Sequence, residues 1–497
     1  MTIRLYCLGA LVMALSAGDV PAAVGDPGNA RRPNIVFILC DDLGINDLHC
    51  YGRQEHHTPH LDRLAQQGLR FTSGYCAQPI CSPSRAALLT GKAPARLHLT
   101  TYLPGRPNAD SQKVLHPEIE MQVPLEEKMI CKYLKEAGYA TAAIGKWHVG
   151  GAKFGPVEHG FDLVHAGKAN TTPSATEGGK GEYDLTAAAE KFIEEHQDRP
   201  FFVYLAHNTP HIPYDSQPGR IDNNAGAFEP VYAGVIETLD DTVGRLLAKL
   251  EALKLADQTL VIFTSDNGGL HVPEGPHPKI THNTPYRAGK GFVYQGGLRI
   301  PLIVRWPGHV PAGKVVDDPV LNTDWVPTLL DLVGQPVPAG LDGVSIAALL
   351  TGRGPAPVRK FFWHFPHYTN QGSRPSGAVR DGHWMLVEYY DQEQVELYDL
   401  RQDIGETQDL AASQPERVSQ MRAALAGWRR DVNSQSNTPN PAFDPSKYRR
   451  LYVDVDASRF EPAQADQTGW ETIWQWRKAM NSAVAGAERG KAGKSKK

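Results

Sequence analysis

The sequence predicts an α/β protein with a large, mostly parallel central sheet flanked by helices, and a smaller C-terminal antiparallel sheet plus a helix. Three observations support this prediction: continuous apolar runs, amphipathic helical patterns between those runs, and a change of pattern after about residue 355. The chain has 497 residues, of which 41% are hydrophobic, so it is long and apolar enough for one large domain and a smaller one.

Four apolar runs have the pattern of buried parallel strands, because they are continuous rather than alternating. These runs cover residues 34–40, 140–144, 201–206 and 259–265, and residues 300–306 are a further candidate. Apolar residues recur at three- and four-residue spacing over 61–68 and 236–250, which indicates amphipathic helices. The alternation of strand and helix favours helices packed around a parallel sheet.

The chain after residue 355 has a different pattern. The segments FFWHF, AVRDGHWMLVEYY and VELYDL are short strands separated by turn residues, which is typical of an antiparallel sheet. We expect a helix from Pro415 to Asn433, followed by an extended loop over 433–448. These patterns predict a main α/β domain at 31–355 and a C-terminal α+β subdomain with a tail at 356–497.

The N-terminus has the form of a secretory signal peptide over residues 1–23, with one arginine, a short apolar run and then small residues. The apolar run is too short to span a bilayer comfortably, so we expect no stable membrane insertion. The mature protein is therefore expected to be exported, either periplasmic or secreted. A net charge of −4 argues against a nucleic-acid binder, because such proteins are normally basic.

The cysteine count is odd once the signal peptide is removed. Cys7 lies within that segment, so five of the six cysteines remain in the exported chain. Cys81 is the candidate for the unpaired thiol. The other four either form disulfides or remain free and buried, and they are Cys40, Cys50, Cys76 and Cys131.

Polar clusters follow four of the predicted strands. These clusters are Asp41-Asp42, GKWHVG, HNTPHIP and Asp266-Asn267. Ligands of open α/β sheets bind beyond the carboxyl ends of the strands, so we expect the four clusters to share one rim. His148, His207 and His211 within them are candidates for proton transfer, because imidazole titrates near neutral pH. The alternative for each histidine is a structural role.

Asp41, Asp42, Asp266 and Asn267 offer a set of oxygen ligands. Three converging carboxylates repel one another, and a hard divalent cation would remove that repulsion. Oxygen ligands suit Ca²⁺ or Mg²⁺ better than Zn²⁺. The alternative is that the first pair caps a helix and the second pair forms a turn.

Arg85, Lys146 and Lys290 are expected near the same rim. Lys290 lies in the glycine-rich segment YRAGKGFVYQGG, which allows the backbone to approach a ligand closely. A metal ion flanked by such cations suits a tetrahedral oxyanion. Taken alone, each cation would more simply be a solvated surface charge.

The segment CSPSRAALLTGK places Cys81 at the start of a predicted helix, with Pro83 in the first turn. A helix N-terminus favours negative charge, so a thiolate nucleophile is conceivable there. A bare thiolate matches an all-oxygen calcium site poorly, and an oxygen nucleophile would match it better.

The segment CSPSRAALLTG resembles the signature of the sulfatase family, in which Cys-X-Pro-Ser-Arg is followed by Leu-Thr-Gly. It is joined in the expected order by DD near the start, and by GKWHVG, HNTPHIP, TSDNGG and GKGFVYQGGLRIPLIVRWPG, so the resemblance spans almost the whole mature chain. It implies that a maturation enzyme of the host oxidises Cys81 to formylglycine. The hydrated aldehyde then supplies the oxygen nucleophile.

The resemblance also implies a role for each matching residue. One calcium ion would be bound by Asp41, Asp42, Asp266, Asn267 and modified Cys81. Lys146 and Lys290 would hold the sulfate oxygens, and Arg85 would steady the nucleophile. Asp266 would aid deprotonation of the nucleophile, and His211 or His207 would protonate the departing alcohol. His148 would take a proton from the second hydroxyl, so that sulfate leaves by elimination.

The leading hypothesis is a sulfuric ester hydrolase that acts on a sulfated carbohydrate or an aryl sulfate. Two alternatives stay open: a phosphonate monoester or phosphodiester hydrolase of the same superfamily, and a non-catalytic glycan-binding protein. One further group either contacts a sugar over the pocket or packs the domain interface, namely His364, His367, Tyr368 and Arg374.

Overall fold

The computed structural model describes residues 32–167 and 180–494, so the predicted signal peptide lies outside the described residues. The strands are β1 (Asn34–Asp41), β2 (Leu69–Phe71), β3 (Gly74–Tyr75), β4 (Val114–Leu115), β5 (Ala140–Gly145), β6 (Leu163–Ala166), β7 (Phe201–Pro210), β8 (Thr259–Ser265), β9 (Leu302–Arg305), β10 (Lys314–Val316), β11 (Val320–Leu321), β12 (Lys360–Phe365), β13 (Ser376–Asp381), β14 (Trp384–Tyr389), β15 (Val395–Asp399) and β16 (Thr438–Pro439). The helices are α1 (Pro59–Gln66), α2 (Cys81–Thr90), α3 (Ile130–Glu136), α4 (Glu182–Glu195), α5 (Pro218–Asn223), α6 (Pro230–Ala252), α7 (Gln295–Leu298), α8 (Trp325–Leu332), α9 (Ala347–Leu350), α10 (Pro415–Asp431), α11 (Pro445–Tyr452) and α12 (Gln467–Lys494).

The main sheet has eight strands within the described residues, in the order β10-β2-β9-β8-β1-β7-β5-β6. Strand β1 pairs in parallel with β7 and β8, and β5 pairs in parallel with β7 and β6. The prediction of a large, mostly parallel sheet is therefore confirmed. The candidate strand at 300–306 is also present as β9, but it is antiparallel to both of its neighbours, β8 and β2.

The reversed direction of β9 follows from the path of the chain after β8. The segment that leaves β8 begins with Asp266 and returns to the same end of the sheet at Lys290, because both side chains contact Asp42, the residue after β1. The chain therefore enters β9 from that end and runs back through the sheet. A parallel β9 would have needed a crossover to the opposite end.

Both faces of the main sheet are covered, which explains the continuous apolar runs. Alternate residues of β1 pack on opposite faces, with Ile35, Phe37 and Leu39 on one face and Val36, Ile38 and Cys40 on the other. Helices α2, α3 and α8 pack on the first face, and α1, α4 and α6 on the second. A strand buried on both faces has no polar side, so its sequence does not alternate.

The C-terminal antiparallel sheet is present as predicted, in the order β12-β13-β14-β15. Helix α10 packs on one face, through Met421 and Leu425. Residues 433–448 were expected to form an extended loop, but they contain β16 and the start of α11. Helix α12 was not predicted, and its Trp476 and Met480 pack in the core beneath the other face of this sheet.

The described residues from Pro33 onward form one compact unit, and the domain boundary expected near residue 355 stays a prediction. The cysteines within the described part of the chain are free thiols, and they are Cys40, Cys50, Cys76, Cys81 and Cys131. Among the described helices, none combines the length and apolar character needed to cross a bilayer.

Candidate active site

Cys81 lies at the start of α2, and its side chain is buried. The first turn of this helix is tied to neighbouring loops by two serines. Ser82 Oγ accepts a hydrogen bond from the N–H of Leu103 at 3.1 Å, and the Ser84 hydroxyl donates to the carbonyl oxygen of Asp266. These contacts fix Cys81 beside the residues that follow β8.

The acidic residues meet at the carboxyl ends of β1 and β8. Asp41 ends β1, and Asp42 follows it in the left-handed conformation with φ of 69°. The N–H of Asp42 donates to Asp266 Oδ1 at 3.1 Å, and Asn267 Nδ2 donates to Asp42 Oδ1 at 2.8 Å. Because β1 and β8 are parallel neighbours, their polar ends share one rim, as the sequence predicted.

Each of the three carboxylates contacts a cation, and Arg85 pairs with two of them, because its Nη2 also lies 3.6 Å from Asp41 Oδ1. The pairs are Lys146 Nζ at 2.5 Å from Asp41 Oδ2, Lys290 Nζ at 2.7 Å from Asp42 Oδ2, and Arg85 Nε at 2.8 Å from Asp266 Oδ2. We call these six side chains the charged cluster. The cations are thus not solvated surface charges, and their pairing offsets the repulsion that three carboxylates would otherwise experience.

The charged cluster separates the pKa values of neighbouring carboxyl groups. Burial opposes ionisation of Asp41, yet Lys146, His211 and Arg85 hold its pKa well below the usual range. Burial raises the pKa of Asp266 to about 7, with Arg85 opposing the rise and Asp41 adding to it. Carboxyl groups with pKa values driven apart are typical of sites that move protons.

The donor atoms at this rim fit a hard cation. One ligand atom each from Asp41, Asp42, Cys81 and His211 lies within 4.8 Å of the other three. The buried oxygens Asp41 Oδ1 and Asn267 Oδ1 have no hydrogen-bond partner among the described residues. Buried oxygens without a partner, next to carboxylates, are the ligands that Ca²⁺ or Mg²⁺ prefers.

Two residues are placed differently from expectation relative to the group of Asp41, Asp42, Cys81 and His211. Asp266 lies beside it, because its two oxygens accept hydrogen bonds from the Asp42 N–H and from Arg85. His211, expected only as a proton donor, lies within it, with Nε2 at 3.7 Å from Asp42 Oδ2.

The unmodified Cys81 thiol is a weak nucleophile in this setting. Burial raises its pKa to about 11, and the charges of Lys146 and Lys290 only partly counter that effect. The thiol is therefore protonated at neutral pH, whereas thiolate is the reactive form of cysteine.

His148 lies at the same rim, two residues after Lys146. Its backbone has φ of 60°, and its Nε2 is 3.1 Å from the carbonyl oxygen of Leu103. Burial and then the charge of Lys146 lower its pKa to about 4. The ring is neutral at pH 7 and can accept a proton.

His207 does not join the charged cluster. Its ring is fully buried, and Nδ1 contacts the carboxylate of Glu182. Sequence reasoning missed Glu182, and it also missed Lys180, whose Nζ donates to the carbonyl oxygen of His211. The available signal was weak: both residues flank Gly181 in the segment GGKGEYD, which resembles an ordinary surface turn.

The C-terminal group suggested as a sugar contact lies in the interior, which favours the packing alternative. Its hydrogen bonds are His364 Nδ1 to the Tyr390 hydroxyl at 2.9 Å, His364 Nε2 to Gln435 O at 2.9 Å, His367 Nε2 to Thr100 Oγ1 at 2.8 Å, Tyr368 OH to Asp391 Oδ2 at 2.9 Å, and Arg374 Nη1 to Tyr448 OH at 3.0 Å. The side chains of His364 and His367 are almost completely buried.

The fold and the site together define an α/β enzyme with its charged rim at the carboxyl ends of a mostly parallel sheet. The chain belongs to the sulfatase family, whose family model matches residues 33–335. A second model, described as N-sulphoglucosamine sulphohydrolase, C-terminal, matches residues 288–430. The protein is thus a hydrolase of the sulfatase class, similar to arylsulfatases.

Relatives support this assignment along most of the chain. Human arylsulfatase A is 36% identical over 416 residues, covering 75% of this chain and 76% of the relative. Pig N-acetylgalactosamine-6-sulfatase is 36% identical over 381 residues, covering 69% of this chain and 70% of the relative. The solved structure of Ps i-CgsB in complex with k-i-k-neocarrahexaose has a TM-score of 0.70 and 29% identity, covering 81% of this chain and 94% of that one.

Proposed function

We propose that the protein hydrolyses sulfate esters with an oxygen nucleophile made from Cys81 by its oxidation to formylglycine. The observation that carries this proposal is the grouping of Cys81 Sγ with Asp41, Asp42 and His211. A protonated thiol is a weak nucleophile, whereas a hydrated aldehyde offers one hydroxyl to attack sulfur and a second to give up its proton.

One calcium ion is the cofactor that the site supports best. Its ligands would be Asp41, Asp42, Asp266, Asn267 and modified Cys81. The unpartnered oxygens of Asp41 and Asn267 support this assignment. When bound, calcium supplies positive charge that neutralises the carboxylates and stabilises the negative charge of the sulfate group.

Lys146 and Lys290 are proposed to hold the sulfate oxygens. Both ammonium groups already face the rim, where they contact the carboxylates of Asp41 and Asp42. Arg85 is completely buried against Asp266, so we assign it to steadying the nucleophile. Preorganised cations of this kind stabilise charge that develops in a transition state.

His211 is the proposed donor to the departing alcohol. Its side chain is 28% exposed, whereas that of His207 is 0% exposed, so only the first can reach a substrate. Burial and then Lys290 lower the pKa of His211 to about 3, while Asp41 and Asp42 oppose the shift. A bound sulfate ester adds negative charge beside Lys290 and would favour the protonated ring. The neutral His148 is proposed to accept the proton that is released when sulfate leaves.

We propose a sulfated carbohydrate as the substrate class. Support comes from two similar proteins: the N-acetylgalactosamine-6-sulfatase, by its name, and Ps i-CgsB, whose structure holds a neocarrahexaose. Activity on an aryl sulfate is expected as well, because the proposed chemistry takes place at the sulfate group and the departing oxygen.

The mass of the tryptic peptide that contains Cys81, from protein made in its native host, tests the nucleophile. We expect the mass of formylglycine, together with turnover of 4-nitrophenyl sulfate and sulfated sugars that exceeds turnover of matched phosphodiesters and phosphonate esters. An unmodified cysteine in every copy would contradict the proposal and favour a glycan-binding role. Faster turnover of the phosphorus esters would favour the phosphonate or phosphodiester alternative.

Calcium dependence has its own test. Prolonged chelation should lower turnover, and calorimetry on the metal-depleted protein should show binding of one Ca²⁺. Asp42→Asn should weaken that binding. The control is Asp331→Asn, which changes an exposed carboxylate in α8 and should leave calcium binding unchanged. Equal calcium affinity in all three proteins would contradict the assigned ligands.

We also propose that the protein is exported. The support is the predicted signal peptide over residues 1–23. N-terminal sequencing of protein recovered from the periplasm or medium of the native host should begin after that segment. Recovery of the intact N-terminus from the cytoplasm alone would contradict export.

A further inference from the structure

Glu182 is a buried carboxylate next to the proposed proton donor. It begins α4 and has no exposed surface. Its Oε1 accepts from the Thr209 hydroxyl at 2.5 Å, and its Oε2 contacts His207 Nδ1. Burial of a carboxylate is costly unless hydrogen bonds replace water, and here both bonds come from the end of β7, just before His211.

Lys180 holds the same segment from a second point. Its side chain is buried, and its Nζ donates to the carbonyl oxygen of His211. Gly181 lies between Lys180 and Glu182 with φ of 82°, a left-handed conformation that glycine adopts readily. The turn therefore directs two charged side chains at residues 207–211, where Lys180 contacts the backbone and Glu182 contacts two side chains.

These contacts lie close to the charged cluster. Burial lowers the pKa of Lys180 to about 8, and the nearby charges of Asp41 and Lys146 act on it in opposite directions. On the other side of the segment, His211 Nε2 is 3.7 Å from Asp42 Oδ2. His211 thus lies between the charged cluster on one side and the buried residues Lys180 and Glu182 on the other.

We propose that Lys180 and Glu182 are positioning residues that hold residues 207–211 so that His211 faces the departing oxygen of the substrate. The proposal rests on the proposed function, because it assigns its effect to proton donation by His211. Neither residue needs to touch the substrate. The buried His207 then links Glu182 to the segment. This role explains why a histidine occurs at position 207 although its ring does not contact the charged cluster.

The expected effect depends on the leaving group. Proton donation matters little for a good leaving group such as 4-nitrophenolate and greatly for a sugar alkoxide. Small displacements of a catalytic group cost large factors in rate. Loss of Lys180 or Glu182 should therefore slow poor substrates selectively, whereas damage to the sulfate site should slow all of them alike.

The experiment measures kcat/KM for a series of aryl sulfates of rising leaving-group pKa and for a sulfated sugar, using formylglycine-containing enzyme. Glu182→Gln removes the charge, and Lys180→Met removes the donor to His211. For each variant we expect a loss of about 10- to 100-fold on the sugar and less than about threefold on 4-nitrophenyl sulfate. Thr209→Val, which removes one hydrogen bond, should show the same trend with a smaller loss.

Glu190→Gln is the matched control. Glu190 lies on the same helix, where its partly buried carboxylate pairs with Arg245 at 2.9 Å rather than with residues 207–211, so its substitution should leave the leaving-group dependence unchanged. An equal loss on every substrate, or no loss at all, in Glu182→Gln and Lys180→Met would overturn the proposal. A crystal structure of Glu182→Gln in which His211 keeps its 3.7 Å separation from Asp42 would overturn it too.

His211→Ala separates this proposal from the proposed function. It should show the same steep leaving-group dependence as the two positioning variants, and its combination with Glu182→Gln should add no further loss. If His211→Ala slows all substrates alike while wild-type enzyme remains an active sulfatase, the assigned proton donor is wrong. If wild-type enzyme fails to hydrolyse sulfate esters, the proposed function itself is wrong.

Discussion

Two regions of the molecule bury full charges, and they handle them differently. The first is the charged cluster at the rim of the main sheet. The second, here called the C-terminal network, surrounds the buried pair Arg287 and Glu396, whose closest atoms are 3.2 Å apart. Its other members are Tyr294, Tyr398 and Ser458.

The C-terminal network satisfies its carboxylate. Glu396 Oε2 accepts from the hydroxyls of Tyr294 at 2.6 Å and Tyr398 at 2.8 Å, and Oε1 accepts from Gln394 at 2.8 Å. Arg287 also lies over the ring of Tyr294, at 3.7 Å from its centre. Both carboxylate oxygens of Glu396 thus have hydrogen-bond partners within the protein, as expected of a structural ion pair.

The rim around the charged cluster, by contrast, keeps buried polar atoms without a hydrogen-bond partner in the described part of the chain. Asp41 Oδ1 and Asn267 Oδ1 are buried without a hydrogen-bond partner among the described residues, and the Cys81 thiol is held protonated. Buried polar atoms without a partner are costly, and at this rim they lie next to carboxylates whose charge a bound cation would neutralise. Burial of charge is thus common to both regions, and what distinguishes the rim is that Cys81, Asp41, Asp42 and His211 converge there as possible metal ligands.

The largest effect should come from Cys81, which lies at the rim beside the charged cluster. Cys81→Ala removes the nucleophile, so we expect kcat on 4-nitrophenyl sulfate to fall by on the order of 10⁴-fold or more. The free energy of unfolding should change little, because the side chain makes no ion pair within the described residues. Steady-state kinetics and urea unfolding of the same preparations check both points. A variant that keeps substantial turnover would show that Cys81 is not the source of the nucleophile.

The second largest effect should be a loss of stability on disruption of the C-terminal network. Arg287→Met leaves the buried Glu396 unpaired, so we expect a loss of about 3–5 kcal/mol in the free energy of unfolding. Turnover per folded molecule should stay close to that of the wild type. The matched control is Arg401→Met, whose side chain is 63% exposed where it pairs with Asp399, and this change should cost less than about 1 kcal/mol. A large loss of turnover in stable Arg287→Met protein would break the contrast between the two regions.

The sequence was sufficient to predict that the polar clusters share one rim, but not which cation pairs with which carboxylate there. Continuous apolar runs identify strands buried on both faces, and the carboxyl ends of parallel strands must meet. That reasoning brought Asp41 and Asp266 together correctly. Which lysine meets which aspartate depends on loop paths far apart in the chain, and no local pattern encodes this information.

Other features could not be predicted from the sequence for related reasons. His207 and His211 are four residues apart, and spacing alone does not tell which ring turns toward the rim. The antiparallel direction of β9 depends on where the preceding loop runs, which its apolar sequence does not record. Glu182 and Lys180 looked like surface charges, because their burial depends on contacts with β7 that form only in the folded protein.

A smaller effect should appear in the pH dependence of stability beside the C-terminal network. Burial raises the pKa of Glu406 from 4.5 to about 8, with the hydrogen bond from the N–H of Gln295 opposing the rise. Between those values the folded protein holds a proton that the unfolded chain has released. The stability that this proton contributes is therefore complete below pH 4.5 and is lost as pH rises toward 8. Over that range the free energy of unfolding falls by at most roughly 1.4 kcal/mol per pH unit.

Glu406→Gln mimics the protonated side chain and tests this sign. The variant should unfold at higher urea concentration than wild type at pH 8, and the difference should shrink toward pH 5. Glu416→Gln, at an exposed position in α10, is the control and should not alter the pH profile. A variant that is less stable than wild type at pH 8 would show that the carboxylate is needed in its ionised form.

The smallest effect should come from His364, a buried histidine for which the sequence left both sugar contact and domain packing open. His364→Ala removes hydrogen bonds to Tyr390 and Gln435, so we expect a loss of about 1–3 kcal/mol in stability. Turnover of a sulfated sugar by the folded variant should equal that of the wild type, because the ring faces the interior. A rise in KM for the sugar without any change for 4-nitrophenyl sulfate would instead assign His364 to sugar recognition. That result would extend the functional site from the charged cluster into the C-terminal sheet.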